Sequence, residues 1–232
     1  EIHERLVGSE MCIRDRGGDL PKQFIPMRGK PLLMHTLEAF HRWDASARII
    51  LVLPEDHQPY WNMLCKEIGC KVPHAIVKGG DTRFFSVKNG LDWLLAERRR
   101  KGEEDSGLSL VAVHDGVRPF VSPEVVEACF DKAAVTGAVI PVVPMIDSLR
   151  ETDEKGSHPV DRSRYMAVQT PQVFLLELLT KAYEQPYSSL FTDDASVVEA
   201  MGHAIDTVPG DRENIKITTP FDLLIAEAMF AR

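Results

Sequence analysis

The chain has 232 residues, of which 44% are hydrophobic and 27% are charged, and its formal net charge is −8. This length suits one large domain with a core of its own. The acidic balance argues against a non-specific nucleic-acid binder, which needs a basic surface, and no apolar run approaches the roughly 18 residues of a membrane span. The four cysteines lack zinc or redox spacing, so we expect reduced thiols in a cytoplasmic protein that binds neither nucleic acid nor membrane.

Helix-like and strand-like segments alternate along most of the chain. Leu33, Leu37 and Phe40 fall at helical spacing. Apolar, β-branched runs predict buried strands at 48–53, 71–77, 110–113 and 138–143. Helices are predicted at 86–99 and from the Ser122 cap to Gly137, which is followed by the strand at 138–143. Short loops between alternating elements predict an α/β fold, with a mostly parallel sheet and helices on both faces.

The alternation breaks between residues 145 and 169, where the chain becomes polar around a Glu-Lys-Gly-Ser turn. We predict a protruding two-stranded β-arm here. A lone hairpin is barely stable in water, so we expect the arm to pack against a second subunit. Further helices are predicted from about 175, from Asp193 with Thr192 as its cap, and from Thr219, with strands at 204–208 and 214–217.

The end of the predicted strand at 110–113 carries an acid, a glycine and an arginine. Ligands of open α/β sheets bind beyond the carboxyl ends of the strands. Asp115 there can hold a divalent metal, Arg118 can meet phosphate oxygens, and Gly116 lets the backbone come close to a ligand. The alternative is a strand-ending turn with a surface arginine and a structural His114.

Other candidates are individually weak. Lys22 follows a proline in a loop and can act as a positioned point charge. Gly80 lies in a Gly-Gly turn before a helix, where backbone amides can face a ligand, although Asp81 and Ser86 can also serve only as caps. Arg162 and Lys216 have an equally ordinary interpretation as solvated surface residues.

The order of these short motifs is far more specific than any one of them. They are PKQF at 21–24, GGDTRFFSV at 79–87, HDGVRPF at 114–120, VDR at 160–162, TPQVF at 170–174, TDDAS at 192–196, NIKIT at 214–218 and TPFDL at 219–223. From about residue 17 to 230 the chain resembles the 2-C-methyl-D-erythritol 4-phosphate cytidylyltransferases. Ribitol-phosphate cytidylyltransferases share much of this pattern.

The resemblance implies that the phosphate of an alcohol phosphate attacks the α-phosphorus of CTP and that pyrophosphate leaves. It further implies Mg²⁺ or another divalent cation held by Asp115, and a homodimer formed through the arm. The implied catalytic residues are Lys22 and Lys216. The implied nucleotide-binding residues are Gly80, Asp81, Arg83, Ser86, Asp115, Gly116 and Arg118. The implied residues for the alcohol phosphate are Ser148, Arg162 and Thr170.

Residues 1–16 depart from the family, which begins with a strand and a glycine-rich loop of the form AAGxGxRMG. The family arginine falls on Asp15, and neither neighbouring arginine is in register. Because Ile2, Leu6 and Val7 do not resemble the family strand, we expect an atypical, foreign leader before a single domain at 17–232. A missing strand and loop predict an open sheet centre and weak turnover.

Three alternatives to methylerythritol-phosphate chemistry follow. The first is a transferase for ribitol 5-phosphate or another polyol phosphate. The second is an inactive nucleotide-binding homologue, which the missing loop favours. A dinucleotide-binding oxidoreductase is disfavoured because no GxGxxG follows a strand near the start of the chain.

Overall fold

The computed structural model describes residues 20–103 and 108–231, and the backbone of residues 2–8. The strands are β1 (Ile2–Gly8), β2 (Pro26–Met27), β3 (Lys30–Pro31), β4 (Arg48–Leu53), β5 (Ala75–Lys78), β6 (Ser109–Asp115), β7 (Ala138–Pro144), β8 (Arg150–Asp153), β9 (Gly156–Pro159), β10 (Met166–Val168), β11 (Gln172–Leu175) and β12 (Asp206–Pro209). The α-helices are α1 (Leu32–Trp43), α2 (Gln58–Ile68), α3 (Arg83–Lys101), α4 (Pro123–Thr136), α5 (Leu176–Ala182), α6 (Asp194–Glu199) and α7 (Pro220–Met229). Short 3₁₀ turns lie at Lys22–Phe24, Glu55–His57 and Arg162–Arg164.

An eight-stranded sheet forms the centre of the molecule, in the order β10-β7-β11-β6-β1-β4-β5, with β12 paired to β7. Strands β6, β1, β4 and β5 run parallel to one another, and β12 runs parallel to β7. Strands β10 and β11 are antiparallel to their neighbours. The predicted α/β class is therefore confirmed, with the antiparallel pairs confined to one half of the sheet.

Helices cover both faces of this sheet, as the continuous apolar runs of its strands predict. Side chains alternate between the two faces along a strand. In β4, Ile49 and Leu51 pack into the core cluster that contains residues of α1, α2 and α4. Ile50 and Val52 pack into the cluster that contains residues of α3, α5 and α6. A strand buried on both faces needs apolar residues at every position, which accounts for the RIILVL run.

The helix ends follow local capping chemistry, with two corrections. The Ser122 hydroxyl accepts a hydrogen bond from the Val125 amide at 3.3 Å, and Gly137 ends α4 at φ 89°, as predicted. The cap of α6 is Asp193 instead of Thr192, since its carboxylate accepts from the Ser196 amide. Helix α3 starts before its predicted position and is capped by Thr82.

The expectation of a missing first strand is wrong. Residues 2–8 form β1 at the centre of the sheet, with Leu6 in register between Ile50 and Val113. The local strand preference of this segment is weak, so the sequence does not indicate a strand. The segment forms one because β4 and β6 supply parallel backbone partners on both sides. The glycine-rich loop position, with Arg14, Asp15 and Arg16, lies outside the described residues. The separate origin of residues 1–16 stays a prediction.

The arm is present but shorter than predicted. Strands β8 and β9 pair as an antiparallel hairpin outside the main sheet. Residues 166–168 instead join the main sheet as β10, because they find backbone partners on β7. Residues 214–217 form no strand; they are an extended segment in which the Ile217 amide donates to the Val117 carbonyl at 3.0 Å. The strands predicted at 71–77 and 204–208 are shorter and lie at Ala75–Lys78 and Asp206–Pro209.

Candidate active site

A buried carboxylate with two cationic partners marks the carboxyl end of β6. Asp115 is the last residue of this strand and is 6% exposed. Its Oδ2 atom accepts from Arg118 Nε at 3.0 Å and lies 3.2 Å from Lys216 Nζ. Burial by itself raises the pKa of Asp115, but the charges of Lys216 and Arg118 outweigh it and hold the pKa below its usual value. The carboxylate is therefore ionised at neutral pH.

Arg118 links the end of β6 to the segment 214–218 through hydrogen bonds. The tight turn after β6 is closed by a hydrogen bond from the Arg118 amide to the Asp115 carbonyl at 3.0 Å. The Arg118 guanidinium then donates from Nη1 to the Asn214 carbonyl at 2.7 Å. This contact fixes the segment that carries Lys216, so the position of Lys216 depends on Arg118.

Lys22 contacts the same segment, 214–218, although it is distant in the sequence. Its ammonium donates to the Thr218 carbonyl, two residues beyond Lys216. The 3₁₀ turn of Lys22 is anchored by Phe24, which is 2% exposed and stacks on Trp61 at a ring distance of 6.1 Å. The fold therefore places Lys22 against the segment of Lys216, and Lys216 in turn pairs with Asp115.

A chain of hydrogen bonds holds the backbone amide of Asp115 in place. The Thr170 hydroxyl accepts from the Asp115 amide at 3.1 Å and lies 3.0 Å from His114 Nδ1. His114 Nε2 lies 3.0 Å from the Arg118 carbonyl, an acceptor, so Nε2 carries the proton and Nδ1 accepts from the Thr170 hydroxyl. Burial lowers the pKa of His114 to about 4, so the ring is neutral and structural. The Thr170 hydroxyl is thus hydrogen-bonded to Asp115 and His114 within the protein.

The glycine loop before α3 is tightly built. The Gly80 amide donates to Ser86 Oγ at 3.1 Å, and this hydroxyl donates to the Thr82 carbonyl at 2.9 Å. A Cβ atom added to Gly80 would lie 2.4 Å from Phe85 Cβ, a distance that no side chain can occupy. Glycine is therefore required at 80, Ser86 closes the loop, and Asp81 is exposed at its apex.

The guanidinium of Arg83 is engaged by a buried acid that the sequence reasoning did not assign. Arg83 donates to both carboxylate oxygens of Asp194, from Nη1 to Oδ1 at 2.8 Å and from Nη2 to Oδ2. Asp194 is fully buried and also accepts from the Tyr183 hydroxyl at 2.6 Å. Gln172 Oε1 accepts from the amides of Asp194 and Ala195, each at 3.0 Å. The TDDAS motif contains Asp194, but only the tertiary fold shows that its partner is Arg83.

Asn214 was also missed. It is fully buried, its carbonyl accepts from Arg118, and its Nδ2 donates to the Thr170 carbonyl at 2.8 Å. Asn214 therefore ties the strand end to the segment of Lys216. The NIKIT motif contains this residue, but its spacing alone predicts only a short strand.

Two predicted substrate residues lie apart from the strand end. Ser148 and Arg162 are both exposed, and the Arg162 guanidinium donates to the Ile146 carbonyl. Within residues 20–103 and 108–231, neither side chain has a hydrogen bond to the group around Asp115. The site therefore divides into a buried charged part and an exposed part near the arm.

The donor set fits a divalent cation that arrives with a triphosphate. Among the described residues there is no cluster of three or more metal-ligating side chains. Asp115 Oδ1 accepts no hydrogen bond from that part of the chain, which leaves one carboxylate oxygen available. Mg²⁺ is commonly held by one or two carboxylates and by substrate phosphates, so a single buried aspartate suffices.

A separate cavity of about 730 Å³ lies between α3 and α5. It is lined by Leu95, Arg99 and Ser109 among others, and Ser109 is at the opposite end of β6 from Asp115. None of the predicted site residues lines it. The chemistry is therefore assigned to the strand end and not to this cavity.

A family profile described as IspD, 2-C-methyl-D-erythritol 4-phosphate cytidylyltransferase, matches residues 14–232. The chain belongs to this family. A relative of that name from Bacteroides fragilis is 54% identical over 213 residues, which cover 92% of both chains. One from Porphyromonas gingivalis (strain ATCC 33277) is 50% identical over 215 residues, 92% of this chain and 90% of that one. The resemblance drawn from motif order is thereby confirmed.

Solved structures of IspD proteins share the fold. The 2-C-methyl-D-erythritol 4-phosphate cytidylyltransferase of Thermus thermophilus superposes with a TM-score of 0.73 at 30% identity, covering 100% of both chains. The 4-diphosphocytidyl-2C-methyl-D-erythritol synthase of Anaerococcus prevotii gives 0.79 at 26% identity, covering 100% of this chain and 97% of that one. Within the part of this IspD chain that the structure describes, no helix is both long and apolar enough to cross a membrane.

Proposed function

We propose that the chain transfers the cytidylyl group of CTP to 2-C-methyl-D-erythritol 4-phosphate. A phosphate oxygen of the alcohol phosphate bonds to the α-phosphorus of CTP, the bond from that phosphorus to the bridging oxygen breaks, and pyrophosphate leaves. The observation that carries the proposal is the pair of positive groups, Lys216 and Arg118, held on Asp115 at the end of β6, with Lys22 bound to Thr218 on the segment that carries Lys216.

These cations suit the reaction because phosphoryl-type transfer depends on positioning and on charge stabilisation. Negative charge develops on the oxygens around the α-phosphorus and on the leaving pyrophosphate. Lys216 lies on the segment 214–218 beside Asp115, and Lys22 contacts the same segment at the Thr218 carbonyl, so both are fixed partners for this charge. Asp115 holds Lys216 in position, since its lowered pKa keeps the carboxylate ionised at neutral pH.

The glycine loop is the proposed site of the cytidine. Phe85 fills the space that a Cβ atom of Gly80 would need, so the loop is compact. The base is proposed to lie against the backbone between Gly79 and Asp81. Asp81 is exposed and provides acceptors for a base or a ribose, and Ser86 keeps the loop closed. Arg83 is held next to this loop by Asp194, because both ends of its guanidinium donate to that carboxylate.

Asp115 is also the proposed ligand of a magnesium ion. When bound, such an ion neutralises charge on the triphosphate. Arg118 and Lys216 both approach Oδ2 and leave Oδ1 for the ion.

We extend the proposal to a cytoplasmic homodimer that forms through the arm. Every residue of β8 and β9 is exposed, although a hairpin of this size needs a packing partner. Ile146 and Tyr165, near the arm, are 60% and 45% exposed. An interface at this position would cover them and bring Ser148 and Arg162 towards a bound alcohol phosphate.

Pyrophosphate release with CTP and each candidate alcohol phosphate tests the reaction. Methylerythritol phosphate is expected to give the highest kcat/KM. A higher kcat/KM with ribitol 5-phosphate would identify that compound as the substrate instead. CTP binding without pyrophosphate release would contradict the transferase proposal.

The loop position before Pro21 calls for a separate comparison. We expect weak turnover by this sequence, since loss of one preorganised donor costs roughly 100- to 1000-fold in rate. A variant in which a family-type AAGxGxRMG loop precedes PKQF is expected to turn over CTP faster. Equal rates of the two proteins would contradict this expectation but not the proposed reaction.

A further inference from the structure

Two cysteines, Cys65 and Cys70, lie at the end of α2. Gly69 ends this helix in the left-handed conformation at φ 74°. The amides of Gly69 and Cys70 both donate to the Cys65 carbonyl, at 3.0 and 2.9 Å. The second of these bonds is the one that defines a Schellman-type helix end, in which the side chains at these two positions pack together. Usually both are apolar, and here both are thiols.

Both thiols are half-buried and packed against the core. The interaction with the neighbouring Cys65 thiol holds the pKa of Cys70 below its usual value. Cys129 is the contrasting case, since it is completely buried and burial raises its pKa to about 12. Cys70 is thus the more nucleophilic of these thiols at neutral pH.

We propose that Cys65 and Cys70 form a reversible disulfide by exchange with a low-molecular-weight disulfide such as oxidised glutathione. The Cys70 thiolate attacks one sulfur of that disulfide, forms a mixed disulfide and releases one thiolate, which takes up a proton. The Cys65 thiol then loses its proton, attacks the Cys70 sulfur and displaces the second thiol. Two cysteine thiols are oxidised and one external disulfide is reduced to two thiols.

The adjacency at the helix end makes this bond accessible without rearrangement of the fold. A disulfide needs its two Cα atoms within about 7 Å and its Cβ atoms directed towards each other. The bond from the Cys70 amide to the Cys65 carbonyl holds the two backbones close, and at a helix end of this type the side chains at these two positions pack together. The proposal does not depend on cytidylyl transfer.

Peptide mapping of the folded chain after treatment with oxidised glutathione tests the proposal, in a Cys12→Ser background that removes the remaining thiol. A linked peptide that contains Cys65 and Cys70, lighter by two hydrogen atoms and restored by dithiothreitol, is expected. Cys129 serves as the internal control and is expected to stay reduced. Absence of the linked peptide, or oxidation of Cys129 together with the pair, would overturn the proposal.

A single variant and an early quench test the order of attack. Cys65→Ser is expected to retain glutathione on Cys70, because no second thiol displaces it. In the parent chain quenched early with acid, Cys70 is expected to have reacted with glutathione at least about fivefold faster than Cys65, because the Cys65 thiol beside it holds the pKa of Cys70 below its usual value. Equal rates at the two positions would overturn the assigned roles, and the linked peptide in the parent chain decides the proposal if a variant fails to fold.

Discussion

The two parts of the site differ sharply in their exposure to water. At the end of β6, Asp115 and Thr170 are each 6% exposed and Asn214 is fully buried. In the hairpin of β8 and β9 every residue is exposed, and Arg162 beyond it is exposed as well. The charged groups are thus set in place by the fold of one chain, whereas the arm residues still need something to enclose them.

This difference predicts different consequences of mutation. Loss of one partner in a buried, hydrogen-bonded charge pair leaves the other charge unsatisfied and costs several kcal/mol. Exposed ion pairs contribute about 0–1 kcal/mol. Changes at the strand end are therefore expected to alter chemistry or stability, and changes near the arm are expected to alter only substrate binding.

The largest expected effect is that of Lys22→Ala. Loss of a cation aimed at the developing charge is expected to lower kcat by about 100- to 1000-fold. Steady-state pyrophosphate release measures this. Lys66→Ala, an exposed lysine on α2, is the matched control. Similar turnover by the two variants would remove Lys22 from the reaction.

Asp115→Asn is expected to lower the free energy of unfolding by about 3 kcal/mol at pH 7, because Arg118 and Lys216 lose a buried partner. The pKa of Asp115 is lowered in the folded protein. Its contribution is therefore present above the unfolded value of about 3.9 and is lost as the pH falls through the folded pKa.

Urea unfolding of wild type and Asp115→Asn between neutral and acidic pH measures this contribution. The difference between the two proteins is expected to shrink below about pH 4. Asp131→Asn, an exposed acid on α4, is the control. A difference that stays constant across this range would show that the carboxylate charge is not responsible.

Arg162→Ala addresses the exposed part of the site. We expect KM for the alcohol phosphate to rise by about 10- to 100-fold, as for loss of a charge-assisted bond to phosphate. The KM for CTP and the thermal midpoint should be unchanged, because the side chain is exposed. Arg164→Ala in the same 3₁₀ turn is the control. A lowered thermal midpoint would show that Arg162 belongs to the rigid part of the protein.

The smallest expected effect on substrate binding is that of Asp194→Asn, which weakens the support of Arg83 without contact to substrate. Because Asp194 is fully buried, this variant is also expected to lower the free energy of unfolding by about 3 kcal/mol. We expect KM for CTP to rise about tenfold, the loss of roughly 1.4 kcal/mol, with KM for the alcohol phosphate unchanged. Glu199→Gln, an exposed acid on the same helix, is the control. If Arg83→Gln raises KM for CTP and Asp194→Asn does not, Arg83 contacts the nucleotide directly.

Much of the fold was predictable because its determinants are local. The Ser122 and Thr219 caps sit at the helix starts that their side chains create. Strands β4 and β7 were visible as apolar runs because they are buried on both faces. Strand β1 was not predicted, since its partners on β4 and β6 are distant in sequence.

The site was predictable in its residue types but not in its connections. Lys22, Asp115 and Lys216 were found from motif order and do meet around the segment 214–218. The pair of Arg83 with Asp194 joins residues that are 111 positions apart, and no spacing rule connects them. Thr170 was expected to face substrate, and the fold places its hydroxyl under Asp115.

The sequence by itself determined the α/β class, the family, and the residue types at the end of β6. These follow from periodicity, caps and motif order, which act over short stretches of chain. The tertiary structure alone decided which cation is held by which carboxylate, where residues 2–8 and 166–168 pair, and which groups are buried. Those outcomes depend on contacts between distant segments, which exist only once the sheet has assembled.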